Sequence, residues 1–175
     1  LRHRSIRKFR EVPIDQTLFL QIISAGQAAA SSSFLQGVTV MRVTDPEKRA
    51  AFKEITGGQL YVETAPEFLV FCADLSRPMR CCTTHGGTPA EGLTEHFIIA
   101  TVDAALYAQN VAVAAESAGL GICYIGAIRN DAARAAELLD LPQQVYPVFG
   151  MCIGWPDQDP EVKPRMPVGV ILKEN

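Results

Sequence analysis

Residues 94–119 read "TEHFIIATVDAALYAQNVAVAAESAG", the longest stretch of helical character in the chain. Thr94 is placed to cap its start and Gly119 to end it just past the last turn. Ala100, Ala104, Ala105, Ala108, Ala112, Ala114 and Ala115 leave both faces apolar or small. A helix that is apolar all round needs cover on every side. The sequence therefore predicts a helix at the centre of the domain or against a partner subunit. Asp103, Gln109, Asn110 and Glu116 interrupt 97–118, which argues against a membrane span.

On the C-terminal side, "LGICYIG" (120–126) reads as a strand between glycines, and Asn130 as the cap of a helix over 131–139. "VYPVFGMCIGWP" (145–156) is a strand ending in a turn, and "VGVIL" (168–172) a last strand. On the N-terminal side, Asp15 caps a helix in which Leu18, Ile22 and Ala25 recur at helical spacing. "SSSFLQG" (31–37) is a loop, "VTVMRVT" (38–44) a strand, 46–55 a short helix, "TGGQ" (56–59) a turn and "EFLVFCAD" (67–74) a buried strand. Residues 76–93, polar with two prolines and Gly86-Gly87, are expected to be a disordered loop. Helices and strands mix without the strict rhythm of a parallel sheet, which predicts α+β. No repeat or linker divides the 175 residues, so 1–175 reads as a single domain.

With 48% apolar and 20% charged residues the composition is that of a soluble globular protein. Net charge −3 and pI near 5.6 give no general attraction to nucleic acid. The stretch "LFLQIISAGQAAA" (18–30) imitates a signal-peptide core, but Pro13, Asp15, Gln21 and Gln27 break the pattern. The chain starts at Leu1 without an initiator Met, so both ends are left open. Five cysteines, with no CxxC pair, and three histidines off zinc spacing point to no metal and to a reducing, cytoplasmic compartment. Cys81-Cys82 reads as an incidental pair on a loop.

Chemistry gathers in four places. "RHRSIRKFR" (2–10) holds five cations, Arg2, Arg4, Arg7, Lys8 and Arg10, with His3 and Ser5 and no acid. In an extended segment Ser5 and Arg7 share a face, and guanidinium groups match phosphate bidentately. Lys163 and Arg165 repeat that spacing around a stiff Pro164, and two such clusters converging on one dianion is the expectation. Around "GLGICYIGAIRN" (119–130) the glycines do not open a helix as a dinucleotide fingerprint requires. Instead Gly126 and Ala127 allow a flat ligand close to main-chain N–H groups, with Tyr124 and Ile125 against its face. Ser31, Ser32 and Ser33 can hydrogen-bond a polar ligand edge, and Gln59 can donate and accept at once.

Taken in order, "HRSIRKF", "SSSFLQ", "TGGQ", "AESAGLGICYIGAIRN", "LPQQVYPVFGMCIGWP" and "KPRMP" resemble the flavin-dependent nitroreductase superfamily. The match is to its oxygen-insensitive NADPH nitroreductase and flavin reductase branch, and covers nearly the whole chain. The resemblance implies a mixed, mostly antiparallel sheet flanked by helices, a long central dimer helix and a homodimer with FMN at the subunit interface. It implies that His3, Arg4, Ser5, Arg7, Lys163 and Arg165 surround the FMN phosphate and ribityl chain, and that Gln59 reads the isoalloxazine edge. Tyr124, Ile125, Gly126 and Ala127 would line the flavin, Ser31, Ser32 and Ser33 would close the site from the other subunit, and Phe34 would meet substrate.

The implied activity is ping-pong transfer of hydride from NAD(P)H, with NADPH the expected donor, through flavin N5 to nitroaromatics, quinones or free flavin. The cofactor carries the redox step, so no catalytic side chain and no metal is expected. Two rivals remain: a flavin- or nucleotide-binding module without turnover, and a nucleic-acid binder using residues 2–10, against which the net charge counts. Two departures from the branch stand out. The branch continues past this C-terminus in an arm that embraces the partner and holds an arginine for the NADPH 2′-phosphate. Ala127 also stands where the branch often has glycine, a strained choice if φ there is positive.

Overall fold

The computed structural model describes residues 3–175; Leu1 and Arg2 lie outside the described residues. In chain order the elements are α1 (Gln16–Gln27), β1 (Val38–Arg42), α2 (Pro46–Ile55), α3 (Leu60–Thr64), β2 (Glu67–Asp74), α4 (Ser76–Thr84), α5 (Thr94–Ser117), β3 (Gly121–Ile125), α6 (Ala132–Leu138), β4 (Val145–Gly154) and α7 (Val168–Ile171). The strands form one sheet in the order β1-β2-β4-β3, and every pairing in it is antiparallel. The expected mixed sheet is thus wholly antiparallel among the described residues.

Alternation along β2 divides the core into two layers. Leu69 and Phe71 face α1 and α5 beside Phe19, Ile22, Tyr107, Val111 and Met151. Phe68, Val70 and Cys72 face the opposite layer, with Phe52, Ile55, Val62, Ile125 and Ile128. All eight residues of β2 are buried, as a strand covered on both faces requires. The outer edge of β3 is closed by the N-terminal segment: the Ile6 N–H donates to the Ile122 carbonyl at 2.9 Å. Farther along, Arg10 N–H reaches Trp155 O, and Asp157 N–H reaches Lys8 O, both at 2.9 Å.

Helix α5 sits between α1 and the sheet. It ends as the sequence predicts, with Gly119 at φ 85° and a Schellman pair, Gly119 N–H to Glu116 O and Leu120 N–H to Ala115 O. Its start differs: Thr94 is the first helical residue, and Leu93 holds the cap position without a side-chain bond. Burial is also one-sided. Ala100, Asp103, Ala104, Tyr107, Ala108, Val111, Ala112 and Ala115 pack inward. Phe97, Ile98, Val102, Leu106 and Val113 are 42–57% exposed on the other face. By length and composition α5 could cross a membrane, but its inward face is packed into a protein core.

Three further expectations change. Residues 76–84 form helix α4 rather than a disordered loop. Asp74 Oδ1 accepts from Ser76 N–H (2.9 Å) and Arg77 N–H (3.4 Å), supplying the cap that the polar composition concealed. Gly86, at φ 77°, ends α4 with Gly86 N–H to Thr83 O and Gly87 N–H to Cys82 O. Asp131, not Asn130, caps α6 by accepting from Arg134 N–H, while Asn130 Nδ2 donates to Ile55 O. Residues 168–171 form one helical turn instead of a strand. Everything from 161 onward is exposed, so local bonds such as Leu172 N–H to Val168 O replace those a sheet neighbour would give.

Two outcomes follow from the packing around β3. A Cβ on Gly121 would stand 2.5 Å from Ile6 Cγ1, so Gly121→Ala should lower unfolding free energy by about 1–3 kcal/mol, measured by urea titration. Tyr124, whose hydroxyl reaches Gln109 Oε1 at 3.3 Å, has its phenol pushed up to about 12 by burial and then by Glu116. An unfolded tyrosine titrates near 10. The folded state therefore holds this proton more tightly, a contribution complete below about pH 10 and lost as pH rises through about 12. Tyr124→Phe should flatten the loss of stability across that window in urea titrations run at successive pH values.

Candidate functional site

The N-terminal segment is extended along β3, and its alternation separates anchors from polar groups. Ile6 is buried beneath Gly121. Ser5 and Arg7 turn together toward Cys123 and Tyr61, as their spacing predicts. Burial pushes the Cys123 thiol up, while Arg7, Ser5 and Tyr61 pull it the other way. The Tyr61 phenol is likewise pushed up by burial, with Arg7 acting against that rise. Tyr61 is a member of this cluster that the sequence did not single out; its only signal is its place two residues after Gln59.

Gln59 precedes α3 after a pair of left-handed glycines, Gly57 at φ 74° and Gly58 at φ 82°. A Cβ on either glycine would meet nothing within 4 Å. The Gln59 side chain makes no cap bond to α3. Its Oε1 is buried and, among the described residues, has no hydrogen-bond partner. Such an oxygen loses free energy until a donor reaches it. Arg49 fixes α3 in place: its guanidinium donates to the carbonyls of Val43 (3.0 Å), Glu63 (3.0 Å) and Ala65 (2.7 Å).

Cationic residues of the segment are partly engaged. His3 Nδ1 lies 2.6 Å from Glu116 Oε1 at the end of α5, and Arg4 pairs with Asp159. The chain that leads to Lys163 thus runs beside the N-terminal segment as far as Asp159. Lys163 and Arg165 are exposed, with Arg165 Nη1 donating to the Lys163 carbonyl at 3.3 Å. No bond joins them to His3–Arg7 among the described residues.

At the end of β3, Ile125 is buried, Tyr124 and Gly126 are half-buried, and a 3₁₀ turn spans Gly126–Asp131. Ala127 is not among the positive-φ residues, so alanine there is unstrained. Tyr124 turns toward α5 and the Phe149 ring, 5.3 Å between centroids, whereas Ile125 joins the opposite core layer. The two therefore stand on opposite faces of β3.

The serines are elsewhere. Ser31 Oγ–H donates to Asp103 Oδ2 at 2.6 Å, Ser32 N–H to Asp103 Oδ1 at 3.2 Å. Ser33 and Phe34 take left-handed backbone angles, and Phe34 is 79% exposed. Asp103 and Glu116 are thirteen residues apart on one helix, so the serine loop and His3 are tied to points about 20 Å apart along α5. Within one chain the two groups are therefore separate.

The nitroreductase family model matches residues 1–155. An NADPH-flavin oxidoreductase of Vibrio harveyi is 52% identical over 175 residues, all of this chain and 71% of that protein. An oxygen-insensitive NADPH nitroreductase of Salmonella typhimurium is 44% identical over 173 residues, 99% of this chain and 70% of that protein. The solved structure of NADPH:FMN oxidoreductase from Vibrio harveyi complexed with NAD+ superposes with a TM-score of 0.94 at 52% identity, covering all of this chain and 74% of the other. Nitroreductase A from Vibrio parahaemolyticus gives 0.95 at 50% identity, covering all of this chain and 72% of that one. With the sheet order, the central helix and the sequence match in agreement, the chain belongs to the nitroreductase family.

Proposed function

We propose that the chain is an FMN-dependent NAD(P)H oxidoreductase of nitroreductase and flavin reductase type, working as a homodimer in the cytoplasm. The observation that carries the FMN assignment is Gln59: a buried amide oxygen with no partner among the described residues, beside two open glycines. A ring N–H at the edge of an isoalloxazine meets that need. Ser5 and Arg7, turned to one face, suit the phosphate end, with His3 and Arg4 beside them and Lys163 and Arg165 as the second basic segment. Gly126 and Ala127 offer main-chain N–H groups, and Tyr124 and Ile125 shape the strand that presents them. FMN, when bound, would supply the redox chemistry of a ping-pong exchange between NAD(P)H and the acceptor.

The chain's own groups bind and orient. Arg7 and its neighbours hold the dianion, and Gln59 fixes the ring edge. Ser31, Ser32 and Ser33 close the site from the second subunit, with Phe34 beside the substrate. The anchors of the two groups, Asp103 and Glu116, stand about 20 Å apart along α5, which supports this division of labour. The exposed stripe of Ile98, Val102, Leu106 and Val113 supports pairing through α5. Free thiols at all five cysteines, three of them buried, fit a reducing cytoplasm. Donors and acceptors are small molecules: NADPH, and nitroaromatics, quinones or flavin.

Purified protein should be yellow and release FMN on denaturation, and NADPH should be oxidised when a quinone is added. Flavin release without turnover would favour a binding module instead. Arg7→Ala combined with Arg165→Ala should weaken FMN retention by ~10-fold or more, read by fluorescence of released flavin after gel filtration. A double variant with full occupancy would refute the phosphate assignment. Leu106→Glu should shift the protein to monomer in sedimentation velocity and lower FMN content with it.

A further inference from the structure

Four polar or charged side chains are buried in the described chain: Thr56, Glu67, Asp74 and Asp103. Glu67 is paired with Arg42 and Asp74 with Arg77. Asp103, 3% exposed, has no cationic partner among the described residues. A carboxylate in that position needs several donors, and all of those it has come from the serine loop. Oδ2 accepts from the Ser31 hydroxyl (2.6 Å) and the Gly37 N–H (2.9 Å), and Oδ1 from the Ser32 N–H (3.2 Å).

The clasp is closed on itself. Ser31 Oγ also accepts from the Gln36 N–H at 2.7 Å. At Gly37 the loop comes so near α5 that a Cβ would stand 3.4 Å from Ala100 Cα. Between the two ends, Ser33, Phe34 and Gln36 all adopt left-handed angles, at φ 48°, 56° and 52°. Non-glycine residues hold such angles only where surrounding bonds impose them. The result of this strain is to present one aromatic ring, Phe34, to solvent at the mouth of a groove of about 530 Å³ that Ser31, Asp103 and Tyr107 also line.

We propose that Asp103 is a positioning residue of the acceptor site: from within α5 it holds the loop 31–37 so that Phe34 stands at a fixed place against the flavin-bound substrate. This rests on the reading above that the serine loop closes a flavin site. Asp103 lies between Val102 and Leu106 of the exposed stripe, so the element that carries the subunit contact also carries the clasp.

The test uses the full chain loaded with FMN and benzoquinone as acceptor. Asp103→Asn keeps the shape and sets an NH₂ group against at least one loop donor. It should lower kcat/KM for the quinone by ~10- to 100-fold, the scale expected of a misplaced contact. Phe34→Ala should show a similar deficit, and Asp103→Asn added to Phe34→Ala should cost little more, because both act through one ring. A merely structural role would make the two losses multiply. Should Asp103→Asn not fold, Ser31→Ala, which removes one of the three bonds, reads the same non-additivity. Unchanged quinone kinetics in a folded variant, or multiplying losses, overturn the proposal alone. A wild-type protein that takes up no FMN overturns this proposal together with the reading of the site.

Discussion

The depth at which α5 sits against α1 governs much of this molecule. Tyr107 lies so close to Gly26 that a Cβ there would be 2.2 Å from the ring. The Tyr107 hydroxyl donates to Ile23 O at 2.8 Å, and Asn110 Nδ2 to Ala25 O at 3.2 Å. With α5 locked to α1 and to the sheet, its remaining polar residues become fixed posts. Asp103 holds the serine loop, Gln109 meets Tyr124, and Glu116 meets His3. Alanine is what makes this possible: short side chains on the inward face let the helix approach the sheet without displacing the groups it tethers.

The opposite layer positions Gln59 by different means. The Arg49 guanidinium gathers three carbonyls from the ends of β1 and α3, and Cys152 Sγ reaches Tyr61 O at 3.3 Å. These bonds constrain a five-residue helix that has little packing area of its own. The glycines before it remain open, and among the described residues the buried Gln59 oxygen is left without a donor. A rigid acceptor already stripped of water suits selective recognition, because most of the ordering cost falls on folding rather than on binding.

Much of this was legible in the residues. Asp15 and Gly119 mark helix ends by local chemistry, and their bonds form as expected. The shared face of Ser5 and Arg7 follows from period-two geometry alone. What was not legible depended on contacts that composition does not announce. Helix α4 is capped from Asp74, a residue that reads as the end of a strand. The stretch 168–172 has strand composition, but strand formation needs a neighbour, and among the described residues none pairs with it. Asp103 reads as a polar interruption in an apolar helix, and its role depends on three donors from 31–37 that only the fold brings around it.

The spacing of the serine loop and the N-terminal segment along α5 bears on inheritance as well as chemistry. If each flavin draws His3 and Arg7 from one subunit and Ser31–Ser33 from its mate, a mixed dimer of two differently damaged chains is not uniformly impaired. One chain lacking its basic segment and another lacking its loop clasp would assemble one cavity with both defects and one with neither. Half the active centres of such a mixed dimer would then be restored by a pairing in which no single polypeptide is sound, so alleles of the one gene that fall in different segments would complement each other while alleles within either segment would not.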